Sequence, residues 1–303
     1  MRVLITGASG LIGSALCEAL LGRSEEVVGL SRDPERAGRA QPDVDWHAWD
    51  PTAERPPERA FAGVDGVVNL VGEPINQRLT DAAKDQIRAS RVRATKNLVD
   101  GMLAAGSTPP VLVSQSAVGI YGDRGEDVID ESTPPGSDWI ARLVVDWEGA
   151  AREASPQMIR VVILRTGLLL DPQGGLLKQL LLPFRLGLGG PLAGGSQYMP
   201  WIHRDDELGI IQWALANERV SGELNASAPN PVTNRDFSKA LGRVLRRPAL
   251  IPAPKLAVTA LRGSELADQV AASLRVVPRR ALDLGYAFRF TELEPALRDL
   301  LTN

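Results

Sequence analysis

The sequence predicts an α/β protein: a Rossmann-type, doubly wound parallel sheet with a smaller C-terminal α+β substrate lobe. Three observations carry that expectation. Short β-branched runs alternate with longer stretches of helical period through the first half of the chain, the pattern of successive βαβ units. A glycine-spaced segment, Val3 to Gly13 (VLITGASGLIG), joins the first such run to the first helical stretch. After Thr166 the pattern loosens into Gly- and Pro-rich stretches separated by shorter helical segments, which marks a second lobe.

Taken in order, strands are expected near Val3–Thr6, Val27–Leu30, Val44–Ala48, Gly66–Val71, Val111–Ser116 and Arg160–Arg165, all short apolar runs. Helices are expected over Leu11–Leu21, where Leu11, Ile12, Ala15, Leu16, Ala19 and Leu20 recur at helical spacing, and over Asp138–Ala154. A third is expected over Thr80–Ala105, charged on one face and stopped by Gly106 with Pro109 beyond. Residues 1–166 form the first domain and 167–303 the smaller lobe, with some later segments returning to the sheet.

The 303 residues include 34 basic and 37 acidic side chains interspersed along the chain, which leaves no electrostatic footprint for nucleic acid. The single cysteine, Cys17, excludes an internal disulfide and a multi-cysteine metal site, and a reducing, cytoplasmic setting is expected. The most apolar region, GGLLKQLLLPFRLGLGGPL, is interrupted by Lys178, Pro183 and Arg185, so no membrane span is expected.

The glycine segment gives the first functional expectation. Gly7, Gly10 and Gly13 lie between a strand and a helix, where each has a task in cradling a dinucleotide pyrophosphate: a tight turn, close backbone approach to the phosphates, and close helix-to-sheet packing. The helix start, with Ser9, Leu11 and Ile12, adds unpaired N–H groups and a positive dipole end. The second strand ends in Ser31 and Arg32, where an NAD-selective protein usually places a carboxylate for the ribose hydroxyl. A hydroxyl followed by a guanidinium suits a 2′-phosphate, so the expected cofactor is NADP (NADPH); the alternative is an ordinary surface arginine beside Asp33.

The G-x-x-G-x-x-G spacing resembles the short-chain dehydrogenase/reductase superfamily. A narrower likeness is carried by VNLVGEPINQR, SQSAVGIYG, LPFRLGLGGPL, PWIHRDDE, NASAPNPVTNRDF and PRRALDLGYAFRF, in this order. Together they resemble the atypical group of that superfamily called the epimerase family protein, or SulA-like, group, from Met1 essentially to Leu301. The resemblance implies an NADP-binding Rossmann domain, a small C-terminal substrate lobe and NAD-dependent epimerase/dehydratase ancestry, without supplying a substrate. It implies that Val71 and Gly72 pass the ribose and nicotinamide side of the cofactor, with Glu73 and Arg78 closing over cofactor or substrate; a plain Glu–Arg surface pair is the alternative. It also makes Asp50 a candidate for the adenine.

Typical superfamily members handle the proton with a Tyr-x-x-x-Lys pair. The three tyrosines here, Tyr121, Tyr198 and Tyr286, are followed four residues later by Gly125, Ile202 and Phe290, and the helix that ought to carry the pair has Ile140 and Val144 at the aligned positions. The usual dyad is absent. Ser116 stands at the place of the superfamily's carbonyl-binding hydroxyl, or is a strand-end serine bonded to local backbone. Tyr121, in a Tyr-Gly turn at the C-terminal edge, is either a proton donor or a structural device. His203 matches the family's His-x-x-Asp turn and is a candidate acid by elimination; in the other reading it orders a turn while Asp205 or Asp206 caps the next helix. His47, beside Trp46 and Trp49, reads as a packed or edge histidine, and no metal site is expected.

Two functions follow. One is an NADP(H)-dependent oxidoreductase or epimerase of a small polar substrate. The other is a non-catalytic NADP-binding protein with a regulatory role, in cell division if the SulA-like label is a guide. The segment from Gly174 to His203 has three readings: a mobile lid with Lys178 and Arg185 as anion contacts, the apolar core of the second lobe, or a self-association face that would make the protein a homodimer.

Overall fold

The computed structural model describes residues 1–302, except for the side chains of Gln157, Ala257, Val258, Leu261 and Arg262. Seven strands form one sheet: β1 (Arg2–Thr6), β2 (Glu26–Ser31), β3 (Asp45–Ala48), β4 (Gly66–Asn69), β5 (Val111–Ala117), β6 (Arg160–Thr166) and β7 (Gly222–Ala226). Their order is β7-β6-β5-β4-β1-β2-β3 and every pairing is parallel. The runs Val3–Ile5, Val67–Val68 and Leu112–Val113 are buried, as a sheet covered on both faces requires. Strand order reverses at β1, flanked by β2 and β4, so the crevice beyond the carboxyl ends of β1 and β4 is where such a sheet binds ligands.

The sheet-covering helices begin with α1 (Leu11–Leu21), α2 (Pro34–Ala40), α3 (Asp81–Arg88), α4 (Ala94–Ala104) and α5 (Trp139–Arg152); α6 (Gly175–Arg185) leads away and α7 (Arg204–Ala216) comes back. Leu16 and Leu20 of α1 and Ile210, Ile211 and Ala214 of α7 pack with Val3, Ile5 and Val113 on one face. Leu98, Val99 and Met102 of α4 and Ala151 of α5 pack with Leu4, Val67 and Leu112 on the other. The later segments that return to the sheet are thus α7 and β7, the latter pairing with β6 from Val162 to Thr166.

The helix expected over Thr80–Ala105 is three pieces: α3, a π turn over Ala89–Arg93, and α4. The strand expected to reach Val71 stops at Asn69, because the N–H groups of Leu70 and Val71 turn onto the Thr6 hydroxyl (3.1 and 3.3 Å).

The remaining helices are α8 (Asn234–Leu245), α9 (Lys255–Arg262), α10 (Ser264–Ala271), α11 (Arg279–Asp283) and α12 (Leu293–Thr302). The lobe has its own core, in which Leu177, Leu181 and Phe184 of α6 meet Phe237 and Leu241 of α8 and Leu297 of α12. Part of the apolar segment after Gly174 is therefore core, while Leu182, Leu186 and Leu188 are exposed. A strand at Leu168–Leu170 pairs in parallel with Trp201–His203. Among the described residues no helix is long and apolar enough to cross a membrane.

Candidate functional site

The site begins where β1 ends. The Thr6 hydroxyl donates to Asn69 Oδ1 (2.8 Å) while accepting the two N–H groups that follow β4, which ties the ends of the two central strands together. Gly7 then turns with φ +66°, and a Cβ there would lie 2.8 Å from the Leu70 carbonyl oxygen, so only glycine passes. A Cβ at Gly13 would run into the Gly7 carbonyl, which is how closely α1 seats against the turn. At Gly10 it would meet only the Gly7 carbonyl oxygen, at 3.1 Å, with open space beyond. Among the described residues no side chain caps α1, so the first-turn N–H groups of Leu11, Ile12 and Gly13 have no side-chain acceptor there, and Ser9 and Gly10 are exposed beside them. This is an anion cradle in shape and in polarity. Leu11 packs against Gly174 at the start of α6, a second helix without a side-chain cap.

At the end of β2 the Ser31 hydroxyl accepts the Asp33 N–H (3.1 Å) and keeps its own proton to donate. Asp33 is occupied as the cap of α2, accepting from the Arg36 N–H (3.0 Å). Arg32 is exposed, with no ion-pair or hydrogen-bond partner among the described residues. Asp50 accepts the N–H and hydroxyl of Thr52 (3.0 and 2.9 Å); these bonds, with Arg32 nearby, hold its carboxyl below the usual range. The cradle and the free cation fit a dinucleotide carrying a 2′-phosphate.

Beyond β4 a polar ladder underlies the edge: buried Asn69 donates to Thr95 Oγ1 (2.9 Å) and Ser114 Oγ (3.2 Å), and Thr95 also accepts from Trp147 Nε1 (3.0 Å). The backbone of Glu73 is clasped from both sides, its N–H by Ser90 Oγ and its carbonyl by Arg91 Nη1, each at 2.9 Å. Val71 and Gly72 lie between these fixings. Glu73 and Arg78 do not form an ion pair; Arg78 lies instead beside Gly263, ahead of α10, with its Cγ 3.8 Å from where a Cβ would stand. Ser90 and Arg91 escaped the sequence reading, though a signal exists: Arg91 stands four residues after Ile87, three before Ala94 and seven before Leu98, all buried.

The proton-handling candidates sit in a different setting. Ser116, 3% exposed, donates to Glu148 Oε1 (2.6 Å). Glu148, 2% exposed, also takes a bidentate pair from Arg165 (2.8 and 2.9 Å) and a bond from Arg152 (2.7 Å). Arg165 reaches on to the Tyr121 hydroxyl (3.0 Å), which donates to Asn225 Oδ1 (2.7 Å), and burial pushes that phenol up to about 12. Glu148 was legible as a charge on the stripe of α5 that carries Ala141, Val144 and Ala151.

His203 is fully buried and stacked on Phe290 with 3.8 Å between ring centroids. Its Nδ1 accepts the Asp205 N–H (3.0 Å), so the histidine itself caps α7. The expected aspartate cap is thereby corrected. Asp205 pairs with Arg289 (2.6 Å), and Asp206 accepts the N–H groups of Arg289 and Phe290 (2.7 and 2.9 Å), so both carboxylates fasten the chain ahead of α12. Accepting at Nδ1 places the neutral ring's proton on Nε2, 3.4 Å from Asp299 Oδ2, and burial lowers the imidazole pKa. His47 bonds Arg59 and faces Asp45 at the edge of the sheet.

A further buried carboxyl was missed. Glu207, in the first turn of α7, is 0% exposed; its Oε1 accepts from Thr166 Oγ1 (2.9 Å) and Gln115 Nε2 (3.4 Å), and its Oε2 has no partner among the described residues. Burial pushes it up to about 7.

Comparison with known proteins places this geometry. Residues 3–226 match the NAD dependent epimerase/dehydratase family, and residues 253–300 match a domain of unknown function, DUF1731. The chain is 37% identical over 303 residues to the chloroplastic epimerase family protein SDR39U1 homolog of Arabidopsis thaliana, covering 99% of this chain and 87% of the relative. The crystal structure of human epimerase family protein SDR39U1 (isoform 2) with NADPH superposes with a TM-score of 0.91 at 36% identity over 100% of both chains. The nucleoside-diphosphate sugar epimerase from Corynebacterium glutamicum gives 0.78 at 33% identity, covering 99% of this chain and 58% of that one. The chain therefore belongs to the NAD dependent epimerase/dehydratase family, as an SDR39U1-like member with a C-terminal DUF1731 extension.

Proposed function

We propose that the protein is an NADP(H)-dependent oxidoreductase or epimerase acting on a small polar substrate of the sugar-nucleotide class. The observation that carries this reading is the cradle at Gly10, open above an uncapped helix, together with Arg32 standing free where NAD-selective proteins hold a carboxylate. The human relative solved with NADPH supports the choice of cofactor, and the sugar epimerase relative supports the class of substrate. In this assignment Gly7, Ser9, Gly10, Leu11, Ile12 and Gly13 hold the diphosphate, and Ser31 and Arg32 hold the 2′-phosphate. Asp50 faces the adenine, Val71 and Gly72 line the ribose and nicotinamide, and Glu73 and Arg78 belong to the loop above them.

The bound nicotinamide supplies hydride chemistry; the protein binds, orients and shields it. Ser116 and Tyr121 are assigned positioning roles, since their hydroxyl protons are spent on Glu148 and Asn225, and His203 acts as the cap of α7. The reaction's proton then comes from water or the substrate. The same spent hydrogen bonds, with the missing Tyr-x-x-x-Lys pair, favour a second reading in which the cofactor is bound without turnover.

Calorimetry with NADPH and NADH on wild type and Arg32→Asp, paired with a turnover assay against nucleotide sugars and simple carbonyl compounds, tests both readings. NADPH should bind ten- to a hundredfold more tightly than NADH, and the substitution should reverse the order. Equal wild-type affinities would refute the cofactor assignment. Tight NADPH binding without turnover on any compound would select the second reading.

A further inference from the structure

Arg91 lies in the π turn between α3 and α4, a geometry that recurs at functional sites because the extra residue re-aims the side chains around it. Its neighbours Arg88 and Arg93 face outward, Arg88 onto Asp146 at 2.6 Å, whereas Arg91 turns inward on the face of Ile87 and Ala94. The guanidinium lies 5.3 Å from the Trp147 ring centroid and within 3.3 Å of where a Cβ on exposed Gly72 would stand, at the carboxyl end of β4.

Arg91 is half-buried, and a guanidinium has five N–H donors that a carboxylate or water ordinarily meets. The hydrogen bonds of Arg91 are made by Nη1 alone, to the carbonyls of Glu73 (2.9 Å) and Ile87 (3.5 Å). Nε and Nη2 have no partner among the described residues, and no carboxylate pairs with the group. Burial lowers its pKa to about 10, a desolvation cost that the carboxylate of Glu73, which makes no ion pair with it, does not cancel. A loop clamp needs only Nη1. The guanidinium lies over Gly72, the glycine assigned above to the ribose and nicotinamide side, with the unspent Nη2 3.4 Å from where a Cβ would stand.

We infer that Arg91 is an oxyanion-recognition residue of this site, receiving on Nε and Nη2 a phosphate or carboxylate of the bound ligand, either of the cofactor or of the substrate. The inference rests on the assignment of the sheet edge as the ligand site. Fork geometry fits either oxyanion bidentately, and Gly72, without a side chain, lets the anion approach. Arg91 is thus distinct from Arg32, which serves the far end of the cofactor.

Wild type, Arg91→Lys and Arg91→Met are compared by calorimetry with two probes: NADPH, and inorganic pyrophosphate titrated into both free and NADPH-saturated protein, with Tm recorded for each variant. Arg91→Met should lose at least tenfold in affinity for one probe at an unchanged Tm, and Arg91→Lys should recover part of it. A loss for NADPH assigns the anion to the cofactor; a loss for pyrophosphate alone, on NADPH-saturated protein, assigns it to the substrate. Wild-type affinity of Arg91→Met for both probes, losses that appear only in step with a falling Tm, or a wild type that binds neither probe would each overturn the inference. A wild type that binds pyrophosphate but not NADPH would sink the cofactor reading alone, and the titration into free protein would still decide on Arg91.

Discussion

Replacing Glu207 with glutamine should make the protein more stable, and only above a definite pH. The carboxyl is wholly inside, with two hydrogen bonds on one oxygen and none on the other, and it titrates near 7 against 4.5 for an ordinary glutamate. The folded state therefore holds a proton that the unfolded chain has already released. Stability contributed by this group is intact below pH ~4.5, declines as pH rises toward 7, and stays at its lowest above. At 1.36 kcal/mol per unit, the penalty above pH 7 is about 3 kcal/mol, undiscounted because no solvent reaches the side chain. Glutamine keeps the shape, carries no charge, and keeps a carbonyl oxygen to accept from Thr166 Oγ1 and Gln115 Nε2. Urea unfolding of both proteins at pH 5 and pH 8 isolates this residue from other titrating groups. With an m-value of ~3 kcal/mol/M the midpoints should differ by roughly 1 M at pH 8 and by little at pH 5. Parallel pH dependences for the two proteins, or a less stable variant at pH 8, would show that Glu207 is ionised without cost and that the reasoning from burial is wrong.

Gly10→Val should abolish NADPH binding while leaving the circular dichroism spectrum unchanged, because the new side chain projects into the open space of the cradle and meets only the Gly7 carbonyl. Glu148→Gln should lower stability by about 3–5 kcal/mol in urea titration, since Arg165 loses a buried bidentate partner; a cost below 1 kcal/mol would mean water or a shifted side chain fills the gap. Tyr121→Phe and His203→Gln should each lower stability, by roughly 1–3 and ~1 kcal/mol, through a lost buried hydrogen bond and a weakened helix cap. If turnover is found, neither should cost the 10²–10⁴-fold expected for a positioned acid, and kcat/KM should keep its pH profile; a loss of that size would return the residue to the chemistry.

The positions of the first six strands of the sheet and the glycine turn were legible because each rests on local pattern: buried parallel strands are continuous apolar runs, and the turn at Gly7 tolerates no side chain; the seventh strand, Gly222–Ala226, and the lateral order of the sheet were not. What stayed hidden depends on contacts far apart in the chain. Ser116 and Glu148 are 32 residues apart, and Tyr121 and Asn225 are 104 apart; no local rule joins them. The π turn interrupts a helix whose periodicity reads as continuous, since one extra residue barely disturbs an apolar stripe. His203 shows a third limit: histidine is a weak sequence signal for a helix cap, so the two aspartates behind it drew the assignment that the imidazole takes.

Gly167 joins the sheet to the lobe, and it leaves almost no slack. Its N–H donates to the Ala226 carbonyl (2.9 Å), Leu168 N–H donates to Pro200 O (2.6 Å), and a Cβ at Gly167 would stand 2.6 Å from that same oxygen. The chain crosses between the two halves again after β7, where Ala228 N–H is bonded to Trp201 O (2.6 Å). These connections, stitched to each other by backbone hydrogen bonds and joined by the direct run of His203 into α7, cannot act as the pivot of a closing jaw. Liganded and ligand-free crystals should therefore superpose as a single body. An attempt to express residues 1–166 alone should yield an insoluble fragment, since β7 and α7 arrive only after the lobe has been threaded.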